Sequence, residues 1–331
     1  MKQSKLGQSG PMVSRIGLGC MGMSGMYGQA DRAESIATIH AALDAGVTLL
    51  DTGDFYGMGH NELLIGEALQ GRKRDDVCIS VKFGALRTPA GPFSGYDGRP
   101  QAVKNFLAYT LTRLGTDYVD IYRPARVDAG VPIEETVGAI AEMVQAGYVR
   151  HIGLSEVAAD TLRRAHAVHP IADVQIEYSI MSRNIEAEIL PTARELGVSI
   201  TAYGVLSRGL LGGSFQQRVQ KGDIRGEMPR FQGDNLAKNL ALVDALRVIA
   251  EEKGCTVAQL SIAWALYQGD DIIPLIGARR LPQMTSAVEA LDIALSPDDV
   301  RRIEEAVPAN VVAGDRYAAS QMAHLDSERM V

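Results

Sequence analysis

The chain has 331 residues, 46% of them hydrophobic, a formal net charge of −7 and a mean hydropathy of −0.01. That length and balance suit one soluble domain of barrel size, or two small ones, and dispersed basic residues on an acidic chain argue against nucleic acid as a partner. No apolar run approaches the roughly 20 residues of a membrane span, and the opening MKQSKLGQSGPMVS lacks a signal-peptide core, so the sequence reads as cytoplasmic.

The predicted elements follow in chain order. A strand at 15–18 leads through a Met- and Gly-rich loop, ending at Gly28, to a helix at 33–45 that stops at Gly46. A strand at 48–51 is followed by a short helix through Ala68, for which Asn61 is a plausible cap. Next come a strand at 77–82, a long Gly- and Pro-rich connection at 85–100 and a helix at 102–114 stopped by Gly115. A strand at 118–122, a helix at 133–145 and strands at 151–155, 174–178 and 199–203 continue the alternation. A second long connection spans 208–235, before helices at 240–252 and 257–267, a strand at 272–276 and a helix at 297–306. Eight strands alternating with helices predict a single (β/α)8 TIM barrel over residues 1–331, with the helices at 257–267 and 297–306 as additions. A doubly wound open sheet is the alternative, and Gly17-x-Gly19-x-x-Gly22 has the spacing of its phosphate turn. No helix pattern starts at Gly22, so that match reads as accidental.

In a barrel, residues at the C-terminal ends of the strands converge on one pocket. Asp51 ends the second strand, Lys82 ends the third, and Tyr56 lies just beyond the second. A phenol with a pKa of about 10 is a poor proton donor near neutrality. A nearby ammonium favours the phenolate, and a carboxylate can hold the ammonium in place. The three groups therefore form an acid–base relay. Two places suit phosphate. The segment Gly204-Val-Leu206-Ser207-Arg208-Gly209 follows the seventh strand, with backbone N–H groups and Arg208 to offer. The segment Gly277-Ala-Arg279-Arg280 follows the eighth and opens a helix, whose N-terminus attracts anions. Paired arginines there suggest the 2′-phosphate of NADPH over NADH. The cysteines Cys20, Cys78 and Cys255 have no metal or redox spacing and read as reduced thiols. His60, His151, His166 and His169 fit no metal site either, and none is expected.

The run Asp51-Thr-Gly-Asp-Phe-Tyr56-Gly, with Lys82, resembles the active site of the aldo-keto reductase family, and the likeness extends over nearly the whole chain. The resemblance implies that Ser155 and Glu156, in Gly153-Leu-Ser-Glu, and Gln175 hold the nicotinamide carboxamide. It also implies that Tyr203 stacks on the nicotinamide ring and that Gln283 contacts adenine. Ala287 stands where many relatives have asparagine. The two extra helices are family features.

One departure is central. The bacterial family pattern reads roughly Asp-Leu-Tyr-Tyr-Gln-His-Arg-Val-Asp, whereas this chain has Asp120-Ile-Tyr-Arg123-Pro124-Ala125-Arg126-Val-Asp128. Ala125 replaces the family's fourth catalytic group. Tyr56 and Lys82 working alone, Arg123 as a substitute, and loss of turnover are the three explanations. Arg126 and Asp128 are expected to pair with each other or with neighbours, and His324 lies in a tail expected to cover the pocket. The resemblance implies NADPH-dependent reduction of an aldehyde or ketone with a sizeable, partly polar frame, by a monomer or homo-oligomer. The alternative is an impaired NADP(H)-binding sensor or regulatory subunit.

Overall fold

Eight parallel strands close into a ring in which every strand pairs with its neighbours in sequence and the last returns to the first. They are β1 (Gly17–Gly19), β2 (Leu49–Gly53), β3 (Cys78–Phe83), β4 (Val119–Pro124), β5 (Val149–Ser155), β6 (Ile171–Glu177), β7 (Ser199–Tyr203) and β8 (Ile272–Gly277). The structure, a computed structural model, describes residues 1–91, 93–212 and 223–329. The helices around the ring are α1 (Arg32–Asp44), α2 (His60–Ala68), α3 (Pro100–Leu114), α4 (Ile133–Gln145), α5 (Ala159–Val168), α6 (Ile189–Glu195), α7 (Gly233–Glu252), α8 (Val257–Tyr267), α9 (Leu281–Glu289) and α10 (Pro297–Ala306). This is the expected TIM barrel, and it rules out the open sheet: the residues after β1 form only a short 3-10 turn, Met21–Ser24.

The strands are buried on both faces, which is why they read as short apolar runs without alternation. Outward residues such as Val81, Tyr122, Ile152 and Val174 pack against the helices in the main core. A smaller apolar group of Leu6, Val13, Leu49, Cys78, Ile121, Ile273 and Leu275 packs separately. Leu6 and Val13 come from a hairpin of Gln3–Lys5 and Met12–Ser14 that the sequence reading did not anticipate.

Other boundaries moved for physical reasons. Residues 171–173 extend β6 toward its N-terminus and pair with β5 across an irregular register. The helix expected at 240–252 starts at Gly233, because its polar first turns carry no apolar stripe to reveal them. The connection at 85–100 contains a hairpin, Ala85–Arg87 with Phe93–Tyr96. The connection at 208–235 holds short 3-10 turns at Ser207–Gly212, Ile224–Glu227 and Pro229–Phe231, while 213–222 fall outside the described residues. Asn61 is not a cap. Gly59 holds that position, with φ +90, and Asn61 is buried inside α2. Its amide donates to Cys20 O at 2.9 Å and Ser24 Oγ at 2.8 Å, and it accepts from Thr52 Oγ1 at 2.6 Å. That fastens the loop after β1 to α2.

Candidate active site

The register of β2 against β3 sets Asp51 beside Ser80 and Gly53 beside Lys82. Lys82 Nζ donates to Asp51 Oδ1 at 2.5 Å, with both side chains 6% exposed. The other carboxylate oxygen accepts from Ser80 Oγ at 3.0 Å and from Gln175 Nε2, on β6, at 2.6 Å. Donors from two strands thus fix one carboxylate. Tyr56 follows in the turn after β2, buried, its ring centroid 5.2 Å from Lys82 Nζ and packed edge-on against Phe55. The three expected groups therefore meet.

Their electrostatics differ from the simple expectation that Lys82 draws the phenol down. Burial lifts the Tyr56 pKa well above 10, with Asp51, Tyr27 and Tyr317 adding to the rise and Arg126 opposing it. Lys82 is itself pulled down by burial, with Asp51 resisting. The ammonium is bonded to Asp51, which offsets part of its charge at the phenol. Tyr56 is therefore held protonated near neutral pH.

Ala125 follows β4, buried, its backbone N–H donating to Phe83 O at 2.8 Å. Arg123 does not substitute for the missing side chain. It is fully buried, one inward position earlier on β4, where Nη1 donates to Asp173 Oδ2 at 2.7 Å and Nη2 to Ser80 Oγ at 2.8 Å. Arg126 is the guanidinium next to Ala125. Its Nη1 donates to Ala125 O at 2.6 Å and Ser155 Oγ at 3.4 Å, and its Nη2 to Tyr317 Oη at 3.4 Å. Arg126 and Asp128 do not pair with each other. Asp128 instead accepts from the backbone N–H groups of Gly98 and Gly130.

The predicted cofactor residues fall on neighbouring strand ends. Ser155 ends β5, Gln175 lies on β6 and Tyr203 ends β7. Glu156, with a left-handed φ of +53, turns a fully buried carboxylate inward. It accepts from Tyr203 Oη at 2.6 Å, Ser327 Oγ at 2.5 Å, the Glu177 N–H at 3.1 Å and both Nη atoms of Arg316, at 2.9 and 2.5 Å. Burial alone would raise its pKa, but Arg316, Arg126 and Ser327 outweigh it and hold the carboxyl far below the ordinary range. Tyr317 Oη lies 2.8 Å from Tyr203 Oη, and Arg208 covers its ring at 4.4 Å. The tail thus reaches the site through Arg316 and Tyr317, while His324 packs edge-on against Tyr96. Arg316, Tyr317, Ser327 and Glu177 escaped the sequence reading. The only signal for Arg316 and Tyr317 is a Gly314-Asp-Arg-Tyr run past the last periodic helix.

After β7, Gly204 turns the chain with φ +69, close against the Glu177 side chain, and Leu206 is half-buried. Ser207 and Arg208 are also left-handed, and Ser207 Oγ is buried without a partner among the described residues. Arg208 donates to Glu177 Oε2 at 3.0 and 2.9 Å. After β8, Gly277 is exposed and the Arg279 guanidinium donates to Tyr27 O at 3.1 Å and Gln29 O at 3.3 Å, tying the loop before α1 to this edge. Gln283 accepts from the Arg279 N–H at 3.1 Å, and Arg280 stands exposed at the cap of α9. Ala287 is buried on the inner side of that helix. Among the described residues no His, Cys, Asp and Glu group is arranged to hold a metal, and no helix is long and apolar enough to cross a membrane.

A model of the Aldo/keto reductase family matches residues 15–308. A probable aldo-keto reductase 1 from Glycine max is 42% identical over 315 residues, 95% of this chain and 91% of that protein. The glycerol dehydrogenase AKR11B4 from Gluconobacter oxydans superposes with a TM-score of 0.84 at 28% identity, over 93% of this chain and 96% of that one. The holo form of aldo-keto reductase AKR11C1 from Bacillus halodurans gives 0.78 at 27% identity, over 94% and 98%.

Proposed function

The chain belongs to the aldo/keto reductase family, a group of NAD(P)-dependent oxidoreductases, and from that premise we propose that it reduces an aldehyde or ketone with NADPH, Tyr56 giving the proton. The observation that carries this reading is the buried Asp51–Lys82 pair, 2.5 Å apart, beneath a buried tyrosine ring. Burying such a pair costs desolvation that apolar residues of the same volume would not incur, and here the ammonium lies against the tyrosine ring.

The residues present fit a nicotinamide cofactor. Ser207 Oγ, buried and without a partner among the described residues, lies on the loop where a phosphate would be cradled. Ser155, Glu156, Gln175 and Tyr203 would hold the nicotinamide end, with Gly204, Leu206 and Arg208 along the pyrophosphate. Gly277, Arg279 and Arg280 would take the adenosine phosphate, and Gln283 would contact adenine. When bound, the nicotinamide supplies the hydride. Tyr56 then protonates the carbonyl oxygen, and the Lys82 ammonium steadies the phenolate left behind. Asp51 keeps Lys82 charged against burial. Alanine at 125, in place of the pattern's histidine, would leave room for a substituted ketone or a polyol-like frame. Small-molecule carbonyls are the substrate class.

The test is NADPH oxidation against a panel of aldehydes and ketones, with the Tyr56→Phe variant alongside. Loss of the general acid should cut turnover about 10²–10⁴-fold while NADPH binding, read by fluorescence, persists. Ala125 also favours a second reading, a binding-only sensor. Tight NADPH binding with no carbonyl turned over would select that reading.

A further inference from the structure

We propose that Arg123 and Asp173 are positioning residues of this active site, a second charged pair that tunes Lys82 through Ser80 and Asp51, on the carbonyl-reducing reading above. Arg123 stands where the family pattern quoted above has tyrosine. The barrel puts it in register with Lys82. One end of its guanidinium grips Asp173 Oδ2 at 2.7 Å, with Thr201 Oγ1 at 3.3 Å. The other end donates to Ser80 Oγ at 2.8 Å, and Ser80 donates to Asp51 Oδ2 at 3.0 Å. Asp51 in turn holds Lys82. An unbroken chain of hydrogen bonds thus runs from β6 through β4 and β3 to β2, ending at the ammonium beneath Tyr56.

Two observations separate this pair from ordinary packing. Both side chains are 0% exposed, yet Arg123 Nε and Asp173 Oδ1 find no partner among the described residues. Buried pairs of this kind seldom stabilise a fold relative to apolar residues of the same volume. The backbone also makes way for the pair. A Cβ at Gly153 would lie 2.6 Å from Asp173 Oδ1 and 3.0 Å from Arg123 Cζ.

Charged and titratable groups reach Lys82 from several elements. Asp51 approaches from β2, Arg123 from β4, Arg126 from beyond β4, the Tyr56 ring from the β2 loop and the Cys20 thiol from beyond β1. Asp51 favours the ammonium, whereas Arg123 and Arg126 oppose it. Arg123 therefore lowers the proton affinity of Lys82 and strengthens the acid it supports, while Ser80 keeps Asp51 in line.

The test uses the full chain and a paired substitution, Arg123→Met with Asp173→Leu, so that no lone charge is buried. NADPH binding and cooperative unfolding establish that this variant folds. The pH profile of kcat on the best carbonyl is then compared with wild type. Of the two charges removed, Arg123 is the one that opposes the Lys82 ammonium, so the alkaline limb should move up by roughly half to one pH unit and kcat on its plateau should fall, with KM little changed. Arg123→Lys, which keeps the charge, should hold the limb near its wild-type position. A folded double variant with an unshifted profile would overturn the role of the pair, with Tyr56-dependent turnover left intact. Failure of the wild type to reduce any carbonyl would instead remove the reaction the pair serves.

Discussion

Arg316→Ala should destabilise the protein by about 3 kcal/mol near neutral pH, through the two carboxylates it leaves behind. Arg316 is 6% exposed and donates twice to Glu156, at 2.9 and 2.5 Å, and to Glu177 at 3.4 Å. It also reaches Glu328 at 2.9 Å, but that partner is partly exposed and adds little. Removing one partner of a buried pair costs roughly 3–5 kcal/mol. The lower end applies because Glu156 keeps Ser327, Tyr203 and the Glu177 N–H, and Glu177 keeps Arg208. The pH dependence has a defined sign. The folded Glu156 carboxyl lies below its ordinary value of 4.5, so its contribution is fully present above that value and fades as pH falls. The gap between wild type and variant should therefore narrow below pH 4.5. Urea unfolding at pH 7 and pH 4 measures both quantities. A loss under about 1 kcal/mol at pH 7, or a gap that widens in acid, would refute the picture of Arg316 as the counter-charge of Glu156.

Arg280→Ala should weaken NADPH about tenfold or more while NADH changes little, since one charge-assisted hydrogen bond contributes roughly 1.5–3 kcal/mol. Titrations by cofactor fluorescence decide this, and equal losses would exclude Arg280 as the phosphate reader. Arg279→Ala should weaken both cofactors, because its guanidinium also ties down the carbonyls of Tyr27 and Gln29. Ala125→His should raise turnover of small aldehydes and obstruct bulky ketones. The same direction for both classes would show that the space beside Tyr56 is not used by substrate. Gly153→Ala should cost about 1–3 kcal/mol by overpacking, because its Cβ has no room beside Asp173 and Arg123. Thermal denaturation reads that loss.

The barrel was legible because its strands are short apolar runs and its helices carry stops at Gly46, Gly115 and Gly147. The Asp51, Tyr56 and Lys82 cluster was legible because strand ends converge in this architecture. The rest was hidden for definite reasons. Arg123 was weighed as a substitute for the missing catalytic group, and only Asp173, fifty residues on, shows that its guanidinium is committed to a buried ion pair instead. Gln175 was expected to meet the nicotinamide amide, and its further bond from Nε2 to Asp51 is one that no local pattern announces. Arg316 and Tyr317 belong to a segment with no periodicity, so their return to β5 and β7 is a tertiary event that no local pattern encodes. Glu177 looked like one more polar strand residue, yet it gathers Arg208, Arg230 and Arg316.

The bond from Gln175 to Asp51 spans 124 positions in sequence, and β8 must pair with β1 before the ring is complete. Contacts this distant are the slowest to form in a folding chain. A collapsed intermediate could carry most of its helices and still lack an oriented Asp51, because Gln175 reaches it from β6 rather than from a neighbouring strand. Recovery of turnover after dilution from denaturant should accordingly lag behind recovery of helical circular dichroism, making activity a clock for ring closure.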